Sequence, residues 1–224
     1  LYKINPDTYA VTMIGPFGWP NGGFDQMTDI AVDKYGAIIG VSFGSVYKVD
    51  PTTAACTLLS GSLSGSFNGL SFVPADMLGL TGDDVLVGTR NDDDIINRID
   101  PMTGAATVVG HIGSQFMSSG DLVAVAGFGT VQTTLGAPRD VLSRLSPVTF
   151  AATPIGTSTG ARARDCGLAS WWVEDSVWWR ALVVPLHGWG VGRLSVWTLS
   201  LGGLLCGCGG PQVCPRDPSA VLHQ

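Results

Sequence analysis

Glutamate, histidine and cysteine are nearly missing from most of this 224-residue chain. Residues 1–165 contain 15 Asp but no Glu, one His (His111) and one Cys (Cys56). General acid–base catalysis usually depends on His or on paired carboxylates with shifted pKa values. The side chains that most enzymes use are therefore scarce. A single Cys also excludes a disulfide within this region. Cysteine usage therefore does not indicate whether the protein resides in an oxidising or a reducing compartment.

Basic residues and long apolar runs are few as well. Twelve Lys and Arg stand against 18 Asp and Glu, and the net charge of −6 gives a nucleic-acid partner no electrostatic support. Leu194–Pro215 is uncharged and long enough for a membrane span, but its five Gly and two Pro argue against one. No P-loop or dinucleotide fingerprint is present.

A segment of fifteen residues, which we call the phrase, occurs four times between residues 1 and 156. Its copies begin at Leu1, Val46, Ile96 and Leu142, which are 45, 50 and 46 residues apart. Each copy has Lys or Arg at its third position and Pro at its sixth, and ends its second half in Ala-x-Thr and aliphatic residues. A repeat of this period indicates an array of supersecondary units.

The repeated phrase predicts a β-hairpin. Its first strand is short and aliphatic, and the Pro that follows fixes φ at the corner of a turn and cannot donate to a ladder. The Asp or Asn before the Pro can accept bonds from nearby amides, and β-branched residues follow in the second strand. We interpret the recurring Lys or Arg as a solvated residue facing a neighbouring Asp, His111 as a loop residue, and three aspartates as turn caps: Asp33, Asp50 and Asp100.

Two further short strands precede each complete copy of the phrase. Four strands in about 45 residues are typical of a propeller blade, and no amphipathic helical period is present. Each unit has two apolar faces, which only stacking against a neighbour can bury. We therefore predict an all-β fold, a partial β-propeller of four-stranded antiparallel blades within residues 1–169. Its parts are a half blade at 1–15, blades at about 27–60, 68–110 and 121–156, and the start of another at 165.

The repeats resemble a known family. Tyr47-Lys-Val-Asp-Pro-Thr-Thr and Arg98-Ile-Asp-Pro-Met-Thr-Gly-Ala-Ala-Thr are similar to the repeats of bacterial β-propeller proteins of the YVTN and quinoprotein-like kind. Such proteins are commonly secreted or displayed on the cell surface, so the resemblance implies an extracellular or surface location. It supplies no catalytic motif that can be placed on a residue of this chain.

The last part of the chain breaks the pattern. Residues 166–224 hold six of the seven Trp and four of the five Cys, and the Asp-Pro-x-Thr-Gly turn expected near residue 195 is missing. Codons for Val196–Gly202, read two bases later, can spell Val-Asp-Pro-x-Thr-Gly. Our hypothesis is that the reading frame shifts between Asp165 and Arg193, so that residues 170–224 are an aberrant, irregular and poorly ordered tail. The tail cysteines then form no metal site, and its Trp pairs form no glycan-stacking face.

The repeats leave two functions open. The first is a non-catalytic interaction or scaffold module that presents loops to a protein or glycan partner. The second is a fragment of a propeller enzyme, lactonase or quinoprotein-like, with its site at the central channel. Several Asp converging on the axis would favour the enzyme, whereas an axis lined by Gly, Ala and aliphatic residues would favour the module, which is our prediction.

No cofactor is expected, with calcium as the one candidate. Adjacent carboxylates on loops supply the hard oxygen ligands that Ca²⁺ prefers. Their spacing here matches no EF-hand loop, and acidic turns are normally solvated. The candidate ligands lie on both sides of one predicted strand: Asp83, Asp84, Asp92, Asp93 and Asp94.

Overall fold

The computed structural model describes residues 1–5, 8, 10–125, 128–135, 140–157, 166–171, 179–185 and 195–199. Besides two short 3-10 turns, Pro20–Gly22 and Ala75–Leu78, the regular elements of these residues are strands. In chain order they are β1 (Tyr2–Ile4), β2 (Val11–Met13), β3 (Asp29–Val32), β4 (Ile38–Val41), β5 (Val46–Val49), β6 (Cys56–Ser60), β7 (Phe67–Val73), β8 (Val85–Arg90), β9 (Ile95–Ile99), β10 (Ala106–His111), β11 (Ser118–Val125), β12 (Gly129–Thr134), β13 (Val141–Leu145), β14 (Ala152–Thr157), β15 (Cys166–Trp171), β16 (Trp179–Pro185) and β17 (Ser195–Leu199).

These strands pair in chain order. Strands β3–β6, β7–β10 and β11–β14 each form a four-stranded antiparallel meander, which we call blade 1, blade 2 and blade 3. Strands β1 and β2 form a separate hairpin, the half blade. Strands β15–β17 form a further antiparallel meander, joined to β11 by one parallel pairing between Gly120 and Cys166. The predicted class, all-β with four-stranded antiparallel blades, is confirmed.

The turn chemistry of the repeated phrase explains why each copy folds as a hairpin. In blade 1 the Asp50 carboxylate accepts the amides of Thr52 at 2.7 Å and Thr53 at 2.9 Å, and the Ala54 amide donates to the Asp50 carbonyl at 2.9 Å. The ninth residue of the phrase has a left-handed backbone in all three blades, with φ of 61°, 72° and 61° at Ala54, Gly104 and Phe150. The same local geometry therefore closes every hairpin.

The other two predicted turn caps are also confirmed. The Asp100 carboxylate accepts the amides of Met102 at 2.7 Å and Thr103 at 3.1 Å. The Asp33 carboxylate accepts those of Tyr35 and Ala37, both at 2.8 Å. The recurring basic residues are exposed, as predicted, but the residue opposite each on the paired strand is Thr and not Asp: Lys48 faces Thr57, Arg98 faces Thr107 and Arg144 faces Thr153.

Blade 2 is buried on both faces. Leu70, Leu86 and Ile99 pack against blade 1 in one apolar cluster. Val73, Val87 and Ile96 point to the other face and pack in a second cluster with residues of blade 3. Alternation along a strand sends neighbouring side chains to opposite faces. The two clusters therefore show why a blade of this sequence needs a neighbour on each side.

The first strand of each blade contacts the first strand of the next. Strand β7 lies against both β3 and β11. The Thr28 hydroxyl, just before β3, donates to the Phe67 carbonyl at 3.0 Å. Between blades 2 and 3 the hydroxyls of Thr89 and Ser118 are 3.2 Å apart. Strands β3, β7 and β11 thus form a shared inner rim.

The predicted tail falls largely outside the described residues. Between 170 and 224 the structure describes 170–171, 179–185 and 195–199, all of them in β15–β17. The tail cysteines and three of its six tryptophans lie elsewhere in that range. The frameshift and the poor order of the tail stay predictions, which the coding DNA tests. Among the described residues no helix has the length and apolar character needed to cross a membrane.

Candidate functional site

Two aspartates meet at the inner rim. Asp29 is the first residue of β3, Asp121 lies 92 positions later within β11, and a hydrogen bond with the Asp121 side chain acts to lower the pKa of Asp29. They hold equivalent positions, because each directly precedes the apolar residue, Ile30 or Leu122, that pairs with the middle of the second strand of its blade. The contact links blade 1 to blade 3.

Glycine at the equivalent position of blade 2 lets the two aspartates meet. Gly69 lies on β7 between them, and a Cβ atom on it would be 2.6 Å from the Gly120 carbonyl oxygen and 3.4 Å from the Asp121 Cα. A side chain there would therefore push β7 away from β11. The next amide of β7, that of Leu70, donates to Asp29 at 2.6 Å.

Backbone amides hold both carboxyl groups. Asp29 accepts the amide of Ile30 at 2.7 Å on one oxygen and that of Leu70 at 2.6 Å on the other. Asp121 accepts the amide of Leu122 at 2.5 Å. Burial raises the pKa of Asp29 to about 7, against the lowering effect of its hydrogen bonds to Asp121 and the two amides. The pair therefore holds a proton at a pH where isolated aspartates are ionised.

An aromatic cluster covers the other side of blade 1. The Trp19 ring lies edge-to-face with Tyr47 at 5.2 Å and with Phe24 at 6.3 Å between centroids, and tilted against Phe17 at 5.8 Å. Tyr47 is buried, whereas 89% of Phe24 is exposed. We call Phe17, Trp19 and Phe24 the aromatic surface.

A carboxylate lies beside the aromatic surface. The Tyr47 hydroxyl donates to Asp25 at 2.7 Å. Burial acts to raise the pKa of Asp25, but hydrogen bonds from Tyr47, Ser42, the Gln26 amide and Ser45 together lower it below its ordinary value. Asp25 is therefore ionised at neutral pH, beside a surface on which Phe24 is the exposed ring.

The calcium candidates lie at opposite ends of β8. Asp83 and Asp84 precede the strand and pair with the Lys34 ammonium of blade 1, at 3.3 and 3.6 Å. Lys34 thereby bridges the turns of two blades, although exposed ion pairs of this kind contribute little stability.

The other three candidates occupy the turn after β8. Asp92 accepts the Ser66 amide at 3.1 Å, Asp93 pairs with the Arg90 guanidinium, and Asp94 lies 3.1 Å from the His111 ring nitrogen. His111 itself is the last residue of β10 and not a loop residue. Within the described residues, no three His, Cys, Asp or Glu side chains are grouped closely enough to hold a metal ion. Calcium binding by these aspartates stays a prediction. Calorimetric heat and a higher Tm with Ca²⁺ would support it, and the absence of both would exclude it.

The carboxyl pair and the aromatic surface were not predicted as sites. The signal for the pair was an Asp at the start of the first strand in the units at 29, 121 and 165, with Gly69 in the unit between. For the aromatic surface it was three aromatic residues within eight positions, from Phe17 to Phe24.

Comparison with solved structures finds similar folds. TolB from Acinetobacter baumannii has a TM-score of 0.47 and 10% identity over 82% of this chain, which spans only 45% of TolB. A symmetrical protein from work on de novo evolutionary emergence has a TM-score of 0.43 and 15% identity, covering 81% of this chain and 78% of its own. The tricorn protease has a TM-score of 0.39 and 16% identity, covering 89% of this chain and 19% of its own.

These TM-scores are below 0.5, so the fold assignment stands on the sheets themselves. No protein-family model matches the sequence, and no curated protein matches it. The pairing order of the strands and the shared inner rim define the class of protein: a β-propeller module built from four-stranded antiparallel blades.

Proposed function

We propose that this chain is a non-catalytic β-propeller interaction module that binds a protein partner through its aromatic surface. The observation that carries the proposal is Phe24, which is 89% exposed while its ring contacts Trp19. Large aromatic side chains with one packed and one open side are the residues that dominate protein interfaces. Secretion or display on a cell surface, as in the YVTN and quinoprotein-like repeats that the chain resembles, belongs to the same proposal.

Charge favours a cationic segment of the partner. Asp25 stays ionised beside the rings, and the chain carries a net charge of −6. A Lys or Arg side chain placed over Trp19 or Phe24 would gain a cation–π contact and meet the Asp25 carboxylate. A neutral glycan would use the rings but gain nothing from the charge.

The alternative is a fragment of a propeller enzyme, lactonase or quinoprotein-like, with its site at the central channel. The Asp29–Asp121 pair favours it, since carboxyl groups with a raised pKa are common at catalytic sites. Three oxygens of the pair already accept backbone amides, however. Carboxyl oxygens that accept backbone amides stabilise the fold and are less available to a substrate, so we prefer the interaction module.

The test uses the full chain and two defined sets of probes. Binding of an arginine- and lysine-rich peptide and of neutral oligosaccharides is measured by calorimetry for the wild type, Phe24→Ser and Tyr35→Ser. Tyr35 is the control because it is also an exposed aromatic residue, at 76%, and lies in the turn between β3 and β4 of blade 1. We expect peptide binding that weakens at least tenfold in Phe24→Ser and is unchanged in Tyr35→Ser.

Two results would overturn the proposal. The first is no binding of the peptide by the wild-type chain. The second is equal binding by Phe24→Ser and the wild type. Oligosaccharide binding that depends on Phe24, without peptide binding, would replace the protein partner with a glycan.

A further inference from the structure

We propose that β10, the outer strand of blade 2, pairs with the same strand of a second copy of this chain across a two-fold axis at Thr107. The four strands of blade 2 from each copy then form one continuous antiparallel sheet. This inference does not rest on the proposed function, because the aromatic surface precedes blade 1 in the chain and β10 contributes nothing to it.

Strand β10 is exposed along almost its whole length. Of its residues, Gly110 is half-buried and the others are exposed. Val108 is 54% exposed and Val109 39%, although both are large and apolar. The strand contains three β-branched residues but neither Pro nor Lys, the residues that commonly protect an edge strand from pairing. An edge of this composition is a template for a further strand.

Two residues of β10 direct their backbone groups away from blade 2. The Ala105 carbonyl accepts the Asp100 amide at 2.9 Å, so Ala105 and Thr107 face β9 with their N–H and C=O groups. Ala106 and Val108 alternate with them and therefore point outward. In the part of the chain that the structure describes, no residue outside blade 2 bonds to the backbone of Ala106 or Val108.

Blades 1 and 3 close the first of these two positions. In blade 1 the Cys56 amide, which is equivalent to that of Ala106, donates to the Gly18 carbonyl at 2.8 Å. In blade 3 the Ala152 amide donates to the Ile112 carbonyl at 2.9 Å. The connection that leads into each of these blades therefore covers the start of its outer strand.

Blade 3 also closes the second position. The residue equivalent to Val108 is Pro154 in blade 3, which has no N–H group to offer, and Leu58 in blade 1. Of the three described four-stranded blades, blade 2 is thus the one in which both outward positions are open. The free donors and acceptors point to another β-strand as the occupant.

A second copy of β10 complements these groups. Antiparallel pairing about a two-fold axis at Thr107 places Ala106 opposite Val108 of the second copy, where the two residues exchange both of their N–H···O=C bonds. The axis generates the same exchange once more. Thr107 then faces its own counterpart, a favourable cross-strand pair, and the nearest charged side chain, Arg98, lies one strand further from the axis.

The dimer is expected to be weak and closed. One short strand from each copy buries less surface than a stable interface requires, so the dimer should form only at high protein concentration. Because both copies use the same edge, association stops at two.

Sedimentation velocity of the full chain from about 10 μM to 1 mM tests this association. We expect a reversible monomer–dimer equilibrium. Val108→Pro removes one outward N–H group, at a position where blade 3 already folds with Pro154, and should weaken dimerisation at least tenfold. Leu58→Pro is the matched control in blade 1 and should leave it unchanged. Monomer at every concentration, open-ended polymers, or equal dimerisation by Val108→Pro and the wild type would overturn the proposal.

Thr107→Lys tests the position of the axis and leaves the backbone intact. It places two ammonium groups opposite each other, so dimerisation should weaken at least tenfold at low ionic strength and recover in part at high salt. The added charge lowers the net charge of −6, so a general charge effect would instead strengthen association. Thr57→Lys, at the equivalent position of blade 1, should leave dimerisation unchanged. Equal weakening by the two substitutions would overturn the pairing at Thr107.

An extended peptide is the other occupant that this edge could take. Binding of a synthetic peptide with the sequence of residues 105–110 is measured by fluorescence anisotropy alongside the sedimentation series. A chain that stays monomeric but binds this peptide would assign the edge to a strand of another molecule and would overturn the dimer.

Discussion

A Cβ atom on Gly69 of β7 would lie 2.6 Å from the carbonyl oxygen of Gly120 in β11, so blades 2 and 3 meet through backbone atoms at this point. Gly69→Ala should therefore separate the two strands and disturb the Asp29–Asp121 contact. We expect the free energy of unfolding to fall by about 2 kcal/mol or more, as for other overpacked sites. Denaturant unfolding measures this loss.

The matched control for Gly69 is another strand glycine. Gly156 lies on β14, and a Cβ atom there would meet nothing within 4 Å. Gly156→Ala should leave the free energy of unfolding unchanged or slightly higher. Equal effects of the two substitutions would show that β7 and β11 are not in close contact.

The ninth residue of the repeated phrase gives a second prediction. Blade 1 has Ala54 there and blade 2 has Gly104, so sequence comparison alone would predict that Gly104→Ala is harmless. In the structure a Cβ on Gly104 would lie 2.8 Å from the Cβ of Ser60, and φ is 72°. We expect a loss of about 2 kcal/mol, from the left-handed backbone and the contact with blade 1 together.

Gly79→Ala measures the cost of a left-handed backbone in the absence of a packing contact. Gly79 has φ of 69° but open space around its Cβ position. Its substitution should cost only the conformational part, about 1 kcal/mol. A Gly104→Ala variant no less stable than Gly79→Ala would contradict the packing of blade 1 against the hairpin of blade 2.

Substitution of the buried residue Gln132 should stabilise the fold. Its side chain in β12 has no exposed surface, and neither amide atom has a hydrogen-bond partner in the part of the chain that the structure describes. Gln132→Met keeps the length and removes two buried polar atoms, so the free energy of unfolding should rise by about 1–2 kcal/mol. Gln26→Met, at an exposed position, should change it by less than about 0.5 kcal/mol. A destabilised Gln132→Met variant would mean that the amide is bonded.

The turn aspartates Asp50 and Asp100 should make the fold less stable in acid. Hydrogen bonds from the Thr52 hydroxyl and then from the amides of Thr52 and Thr53 lower the pKa of Asp50 to about 2. The amides of Met102 and Thr103 lower the pKa of Asp100. Folded-state pKa values below the unfolded value of 3.8 give stability that is present above about pH 4 and lost as the pH falls toward 2.

Serine at both positions, as at Ser146 in the third blade, removes this contribution. The double variant Asp50→Ser, Asp100→Ser should show a shallower fall of the denaturant midpoint between pH 4 and 2 than the wild type. Identical slopes would mean that the two carboxylates do not act through their turns.

Sequence predicted the hairpins well because their chemistry is local. The Asp50 carboxylate reaches amides two and three residues further on, and the sequence repeats the phrase that forms this turn four times. Stacking of the blades followed from the apolar character of both faces. Both predictions depend on neighbours in the chain or on a pattern along it.

Contacts between blades could not be predicted in the same way. The bond between Asp29 and Asp121 depends on how closely β7 approaches β11, which Gly69 decides in three dimensions. Likewise the acidic residues Asp83 and Asp84 are neighbours of Lys34 only because blades 1 and 2 stack. Residue types alone indicated calcium at these positions, since the sequence does not show where a distant Lys lies.

Cross-linking between blades tests the central claim, the stacking of adjacent blades at a shared inner rim, most directly. The hydroxyl oxygens of Thr89 in β8 and Ser118 in β11 are 3.2 Å apart, so two cysteine sulfur atoms at these positions should lie close together. The chain is made with Thr89→Cys and Ser118→Cys and with its five native Cys replaced by Ser, then oxidised and mapped by peptide mass spectrometry. The account predicts an intramolecular disulfide between positions 89 and 118 in the folded chain. Two free thiols, or disulfides only between molecules, would contradict it.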